Sequence, residues 1–298
     1  MSSTQLYAEL PARGVLEVAG EDRVAFLQGL VTNDVTKVAS DCAIFAALLT
    51  AQGRYLFEFF IFALGDSLYL ETERARLPDL QRRLGLYKLR SKVTLADASA
   101  RFRVVAGWGD GADRALSLSG EGTARPFAGG IAFVDSRLAA LGLRFLLPRD
   151  AGFTSLDAAG FAGTDDAAYD RHRLALGVPD GSRDLTIEKA LLLESGFDEL
   201  HGIDWQKGCY MGQELTARTK YRALVKKRLL PVAVEGAVPA PGTLVMLGNE
   251  EAGEIHSGRD GVALALLRLD AVEAAERGAP LLAGTARLTP QKPSWAKF

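Results

Sequence analysis

Two runs, CAIFAALLT and RYLFEFFIFA, are rich in apolar and aromatic residues, and LGDS links the second to SLYLETE in what reads as a β-hairpin with Gly-Asp in the turn. Before them, EDRVAFLQGLVTNDV places Val24, Leu27, Leu30 and Val31 near helical spacing. Its opening Glu-Asp suits the positive end of a helix dipole, so the pattern predicts a helix over residues 21 to 30 with TND as its turn. Residues 73 to 85 mix charges with apolar positions and read as a surface helix, with Gly85 near its end. SKVTLAD, FRVVAGWG, GIAFVDS and GLRFLLP then give short strands, and DDAAYDRHRLALGVP a helix stopped by Gly177 and Pro179. Strands do not alternate regularly with long helices, which makes the class α+β. After about Ala223, short β-rich runs separated by PAPG, GNEE and SGRDG predict a small barrel or sandwich. The expected division is an α+β region over 1–223 and a β domain over 224–298.

A net charge of −2 gives no whole-molecule attraction to nucleic acid or membrane. The first residues, MSSTQLYAELPARG, carry no signal or transit pattern, and no apolar run approaches the roughly 20 residues of a membrane span. The expectation is a cytoplasmic protein without a membrane contact. With two cysteines far apart and three histidines, neither a zinc site nor a self-contained iron-sulfur ligand set is expected, so any cluster would be shared with a partner.

The segment KGCYMGQE, residues 207 to 214, sets a thiol between glycines, beside a lysine and just before the helix-forming GQELTARTKY. A helix N-terminus and Lys207 would both favour a thiolate at Cys209, and Gly208 and Gly212 would let the backbone bend and a ligand approach. The alternative is that Cys209 is a small buried filler in a turn.

KGCYMGQE resembles the K-G-C-[YF]-x-G-Q-E signature of the YgfZ family, folate-binding proteins related to the T-protein aminomethyltransferase of the glycine cleavage system. ELTARTKYRALVKKRLLPV resembles the mitochondrial Iba-type iron-sulfur maturation factors and their bacterial relatives. FLQGLVTNDV, TAQGRYLFEFFIF and LYKLRSKVTL resemble further family segments in the same order. The resemblance implies a T-protein-like α+β unit around a central folate cavity, followed by a small C-terminal β-barrel. It further implies tetrahydrofolate or a derivative as ligand, a role in iron-sulfur cluster assembly or repair with indirect effects on enzymes that thiolate tRNA, and assembly or client proteins as partners.

A folate pocket needs apolar walls with a few fixed polar groups. Gln28, Asn33, Asp34, Arg54, Glu58, Gln213 and Glu214 are the polar candidates, Arg90 and Lys92 further cations for the glutamate tail, and Tyr210 and Trp205 stacking candidates; Tyr87 reads as core. Cys209 and Lys207 are the candidate reactive pair. Against each polar residue stands a plain turn or cap role. ARTKYRALVKKR concentrates cations, including Arg218, Lys220, Arg222 and Lys226; no RNA-binding fingerprint accompanies them, so direct nucleic-acid binding is not expected. T-proteins carry two adjacent aspartates on the strand that here reads RYLFEFFIF. Those positions fall on Phe57 and Glu58, which leaves a folate-dependent aminomethyl or methyl transfer as the alternative activity, with Glu58 as its one carboxylate.

Overall fold

The computed structural model describes residues 5–297. The chain runs through β1 (Gln5–Glu9), β2 (Arg13–Ala19), α1 (Arg23–Gln28), β3 (Ile44–Leu49), β4 (Tyr55–Leu64), β5 (Ser67–Glu73), α2 (Leu77–Tyr87) and β6 (Thr94–Asp97). It continues through β7 (Phe102–Trp108), α3 (Ala112–Ala115), β8 (Ala124–Phe127), β9 (Gly130–Val134), β10 (Leu143–Pro148), α4 (Thr154–Ala158), β11 (Phe161–Gly163) and α5 (Asp166–Ala175). After a long irregular stretch come α6 (Gln213–Tyr221), β12 (Lys227–Glu235), β13 (Leu244–Leu247), β14 (Glu250–Arg259), β15 (Val262–Arg268), α7 (Leu269–Glu276), β16 (Leu281–Ala283) and β17 (Ala286–Pro290). Two compact units result: one takes residues through Leu49, 56–169 and 200–211, the other 50–55, 170–199 and 212 onward. Among the described residues no helix is long and apolar enough to cross a membrane.

The first unit holds two sheets, in strand orders β3-β4-β5-β2-β6 and β11-β1-β7-β10-β9-β8. Strand β4 explains why its run is apolar at nearly every position. Side chains alternate between the faces of a strand, and here both faces are covered. Phe57, Phe59 and Ile61 join Phe26 and Leu27 of α1 and Leu77, Leu80 and Leu84 of α2 in one core. Phe60 and Phe62 point the other way and meet Phe133 of β9, with ring centroids 5.6 and 5.4 Å apart. Glu58 shares that second face and lies in a buried set of ions. Arg13 reaches Glu58 at 3.8 Å and Glu71 at 2.5 Å, and Arg144 reaches Glu71 at 3.6 Å and Asp135 at 3.4 Å. Arg137 closes on Asp135 at 2.9 Å. Burial alone would raise Asp135, but Arg137 and Arg144 hold its carboxyl below the usual carboxylate range.

The second unit ends in a closed barrel, β12-β15-β14-β13-β16-β17. Strand β15 shows how its sequence specifies closure: Ala263, Ala265 and Leu267 fill the interior, while Leu264 packs outside with Leu174 and Leu229. Small interior residues let a six-stranded barrel fill without voids. Gly85 lies near the end of α2, as expected, but one reading of this helix needs correction. Tyr87 is not core: with its helix buried only through Leu77, Leu80 and Leu84, it is 39% exposed.

Candidate functional site

The turn after α1 is built by its own side chains. Thr32 donates to the Gly202 carbonyl at 2.6 Å and accepts from the Ala47 amide at 2.8 Å, so one buried hydroxyl joins β3 to the 201–202 segment. Asn33 donates to the carbonyls of Phe45 at 2.7 Å and His201 at 2.8 Å. Gln28 bridges the turn, donating to Asp34 Oδ1 at 2.9 Å and accepting from the Val35 amide at 2.8 Å. Asp34 caps the short helix Val35–Lys37, and the Thr36 hydroxyl holds its carboxyl below the usual range. The capping role set against each of these residues is therefore the one they fill, and it serves to fix the segment that carries the thiol.

That segment is anchored at both ends. Lys207 Nζ donates to three carbonyl oxygens of the turn: Gln28 at 2.8 Å, Val31 at 2.5 Å and Asn33 at 2.9 Å. It also sits 5.2 Å from the ring centroid of buried Tyr210. Burial lowers the Lys207 amine to about 8, against an opposing pull from Asp34 and Asp204. Asp204 accepts from the amides of Gln206 and Lys207 and pairs with Lys37 at 2.5 Å; those partners hold it low although burial alone would raise it. Past the thiol, the Met211 amide donates to the Gly29 carbonyl at 3.1 Å. Between these anchors Gly208 and Cys209 are exposed. Cys209 is thus no buried filler. Gly212, at φ 80°, occupies the left-handed region that favours glycine, whereas a side chain at Gly208 would meet open space, so no close approach requires glycine there.

Beside this segment the first unit has a cavity of about 580 Å³. Phe45, Ile44, Ile203 and Trp205 supply its apolar walls, and Glu121, His201, Asp204 and Gln206 its polar ones, with Cys42 at the edge. Burial pushes the Cys42 thiol up, and Asp41 adds to the effect. Of the residues expected to bind folate, the cavity takes Asn33 and Trp205, and the Asn33 amide nitrogen is already committed to two carbonyls. Gln28, Asp34 and Tyr210 build the neighbouring turn and loop instead. Glu58 is buried beside Arg13. In the second unit, Arg54 donates to the Lys189 carbonyl at 2.9 Å, and Gln213 and Glu214 form the first turn of α6 with Glu214 exposed. Sequence reasoning missed Glu121, His201, Asp204 and Cys42. The readable signal was Asp204 of DWQKG, whose carboxylate two and three residues before free amides is a turn former. Among the described residues no group of three or more His, Cys, Asp or Glu side chains is placed to hold a metal ion.

Residues 226–298 match the family profile described as CAF17, C-terminal beta-barrel domain. Over 291 residues the chain is 34% identical to the iron-sulfur cluster assembly factor IBA57, mitochondrial, of Mus musculus, covering 89% of this chain and 78% of the mouse protein. The Homo sapiens protein of the same name is 35% identical over 277 residues, covering 87% of this chain and 76% of its own length. A Mycosarcoma maydis homolog is 35% identical over 258 residues, of which the chain spans 61% of the fungal protein's length. In structure, the glycine cleavage system aminomethyltransferase T from Bartonella henselae superposes with TM-score 0.76 over 99% of this chain and 87% of its own, at 13% identity, which establishes a T-protein-like fold. The relatives are mitochondrial by name, which overturns the cytoplasmic placement: a start without a presequence pattern did not license it.

Proposed function

This chain belongs to the IBA57 family of iron-sulfur cluster assembly factors, and we propose that it assists cluster assembly or repair through Cys209 while binding tetrahydrofolate or a derivative. The observation that carries the reading is an exposed thiol on a segment held at both ends, by Lys207 on the turn after α1 and by Met211 on Gly29. An iron-sulfur cluster takes about four thiolate-type ligands, and Cys209 supplies one; the others come from a carrier or client protein that shares the cluster. Cys42 is the poorer ligand, because burial disfavours its thiolate.

The cavity supports the folate part. Its volume lies within the roughly 300–1,000 Å³ of small-molecule sites, and Trp205 offers its ring to a pterin while Glu121 accepts from its amino and amide hydrogens. Folate would supply one-carbon chemistry when bound; the chain's own residues bind and orient it. Enzymes that thiolate tRNA would be clients affected indirectly. The transferase alternative is weaker, because Glu58 is 1% exposed and faces Arg13 inside the fold.

The test places Cys209→Ser and Cys209→Ala in cells lacking the native gene and assays cluster-dependent enzymes. Loss of rescue is expected, and full rescue by either variant overturns the thiol role. Calorimetric titration of wild type and Cys209→Ala with tetrahydrofolate is expected to give equal binding, since Cys209 does not line the cavity. Absence of binding to the wild type overturns the folate role.

A further inference from the structure

Helix α2 buries Leu77, Leu80 and Leu84 and then continues into apolar residues that nothing covers. Leu86 is 67% exposed, Tyr87 39% and Leu89 89%, the highest value of any large apolar side chain among the described residues. Leu89 also sits at φ 41°, a left-handed conformation that L-residues avoid. A tight turn holds it there, with the Ser91 amide donating to the Lys88 carbonyl at 2.8 Å. Three neighbouring apolar side chains kept in water, one at the tip of a strained turn, mark an interaction surface.

Its place in the unit adds a second observation. The Lys92 amide donates to Asp22 at 2.7 Å, and Gly20, at φ 109°, lets the Lys92 carbonyl come so near that an added Cβ would lie 2.1 Å from it. The 86–92 turn is thus fastened to the start of α1. The other end of α1 carries the Lys207 and Met211 anchors of the thiol segment. Helix α1 has six residues, so the two fastenings lie about 9 Å apart along it.

We propose that Leu86, Tyr87 and Leu89, with Lys88 and Arg90, form a docking knob for a protein whose surface offers an apolar pocket edged by carboxylates. Arg82 and Lys92 already pair with Asp79 and Glu21, whereas Lys88 and Arg90 make no ion pair among the described residues. Charge complementarity therefore asks for an acidic rim. Two unneutralised cations fall short of the roughly four to eight that attract an anionic membrane, and the chain's net charge of −2 opposes one. A two-fold contact of this knob with itself is disfavoured, since it would bring Lys88 and Arg90 of one copy close to those of the other. That the partner is a cluster carrier or client rests on the reading of Cys209 above; the knob itself does not.

The experiment installs a benzophenone amino acid in place of Leu89 in the full chain, in cells lacking the native gene, and maps the photo-adduct by mass spectrometry. The expected result is an adduct on a different protein, inside an apolar pocket bordered by Asp or Glu, reduced at least tenfold by Arg90→Glu. An adduct to lipid, to another copy of this chain or to a pocket without carboxylates overturns the proposal, as does no adduct or one that Arg90→Glu leaves unchanged. Leu89→Gly suits the left-handed backbone, so it folds while removing the most exposed side chain of the knob, and several-fold loss of cluster-enzyme activity is expected; full activity overturns the identification of the partner as a cluster carrier or client. A Cys209→Ser background separates the two readings. An adduct that persists while this variant rescues activity sinks the thiol role alone, whereas a missing adduct beside a failed Cys209→Ser rescue sinks the knob alone.

Discussion

Replacing Lys207 with Met keeps the aliphatic stem and deletes the ammonium that three carbonyls share. Each bond is charge-assisted and worth about 1.5–3 kcal/mol, or ~5–9 kcal/mol gross if they simply add. The net is smaller. Burying the ammonium has its own cost, which is why the amine falls to about 8, and water reaches part of the site to solvate freed carbonyls. We take ~3 kcal/mol as the net loss, which lowers Tm by about 6–12 °C for a unit of this size. The effect should be centred on the anchor, since Lys207 ties its own loop to the residues that follow α1. Differential scanning calorimetry reads the global loss, and hydrogen exchange at the Met211 amide, bonded to Gly29, reads the local one. Lys207→Arg should fall between, because a planar guanidinium cannot direct three donors as a pyramidal ammonium does. A Tm within about 1 °C of wild type, with unchanged exchange at Met211, would refute the anchor.

Gly53→Ala should cost about 2–4 kcal/mol in chemical denaturation, because its φ is 81° and the new Cβ would lie 2.7 Å from the Gly212 carbonyl and from Leu215 Cβ; wild-type stability would show that this close approach is not rigid. Arg144→Met should cost about 3–5 kcal/mol by leaving Asp135 and Glu71 short of a buried cation, and an unchanged denaturation midpoint would contradict the ion set described for the first unit. Asp170 is lowered to about 2, burial raising it but Arg183 and Arg173 outweighing that. Its contribution is complete above the unfolded value of about 3.9 and lost as pH falls towards 2, so Asp170→Asn should flatten the stability profile between about pH 4 and pH 2; an unaltered slope would count against it. Iodoacetamide should modify exposed Cys209 well before Cys42, whose thiolate burial disfavours, and equal rates by mass spectrometry would contradict the assignment of the two thiols.

Local pattern revealed those parts of the fold that local pattern determines. The helix at α1, the β4-β5 hairpin, the helix after GCYMG and the barrel strands each carry their own period or turn residue. Tyr87 failed because α2 stays apolar beyond the last residue it buries, and a sequence does not say where a neighbouring core stops. The site was less legible for a related reason. Gln28 reads as part of the first helix and Asn33 and Asp34 as the turn after it, but whether such groups face a ligand or a backbone carbonyl depends on what the chain brings alongside 170 residues later, as Thr32 and Gly202 show. Glu121 and His201 lie in cavity walls contributed by segments far apart in sequence, and neither sits in a motif.

Strand β4 is where a T-protein-like fold and the proposed absence of T-protein chemistry meet. The resemblance placed two aspartates of the transferases at Phe57 and Glu58. Phe57 here packs in the α1 and α2 core with the Arg76 guanidinium 4.2 Å from its ring centroid, so an aspartate there would forfeit the ring's packing at a cost of several kcal/mol even with that cation beside it. Glu58 faces the opposite sheet, where it is buried with Arg13 3.8 Å away. The two positions thus serve packing, one by shape and one by charge. The thiol proposed to act lies on another segment: Cys209 is exposed, and Lys207 beside it holds the backbone in place. A scaffold can keep its sheets and lose its reaction when the strand that carried the carboxylates becomes core. Restoring Phe57→Asp should therefore destabilise the protein by about 3–5 kcal/mol without conferring formation of methylene-tetrahydrofolate from an aminomethyl donor, and turnover by that variant would refute the assignment of β4 to packing.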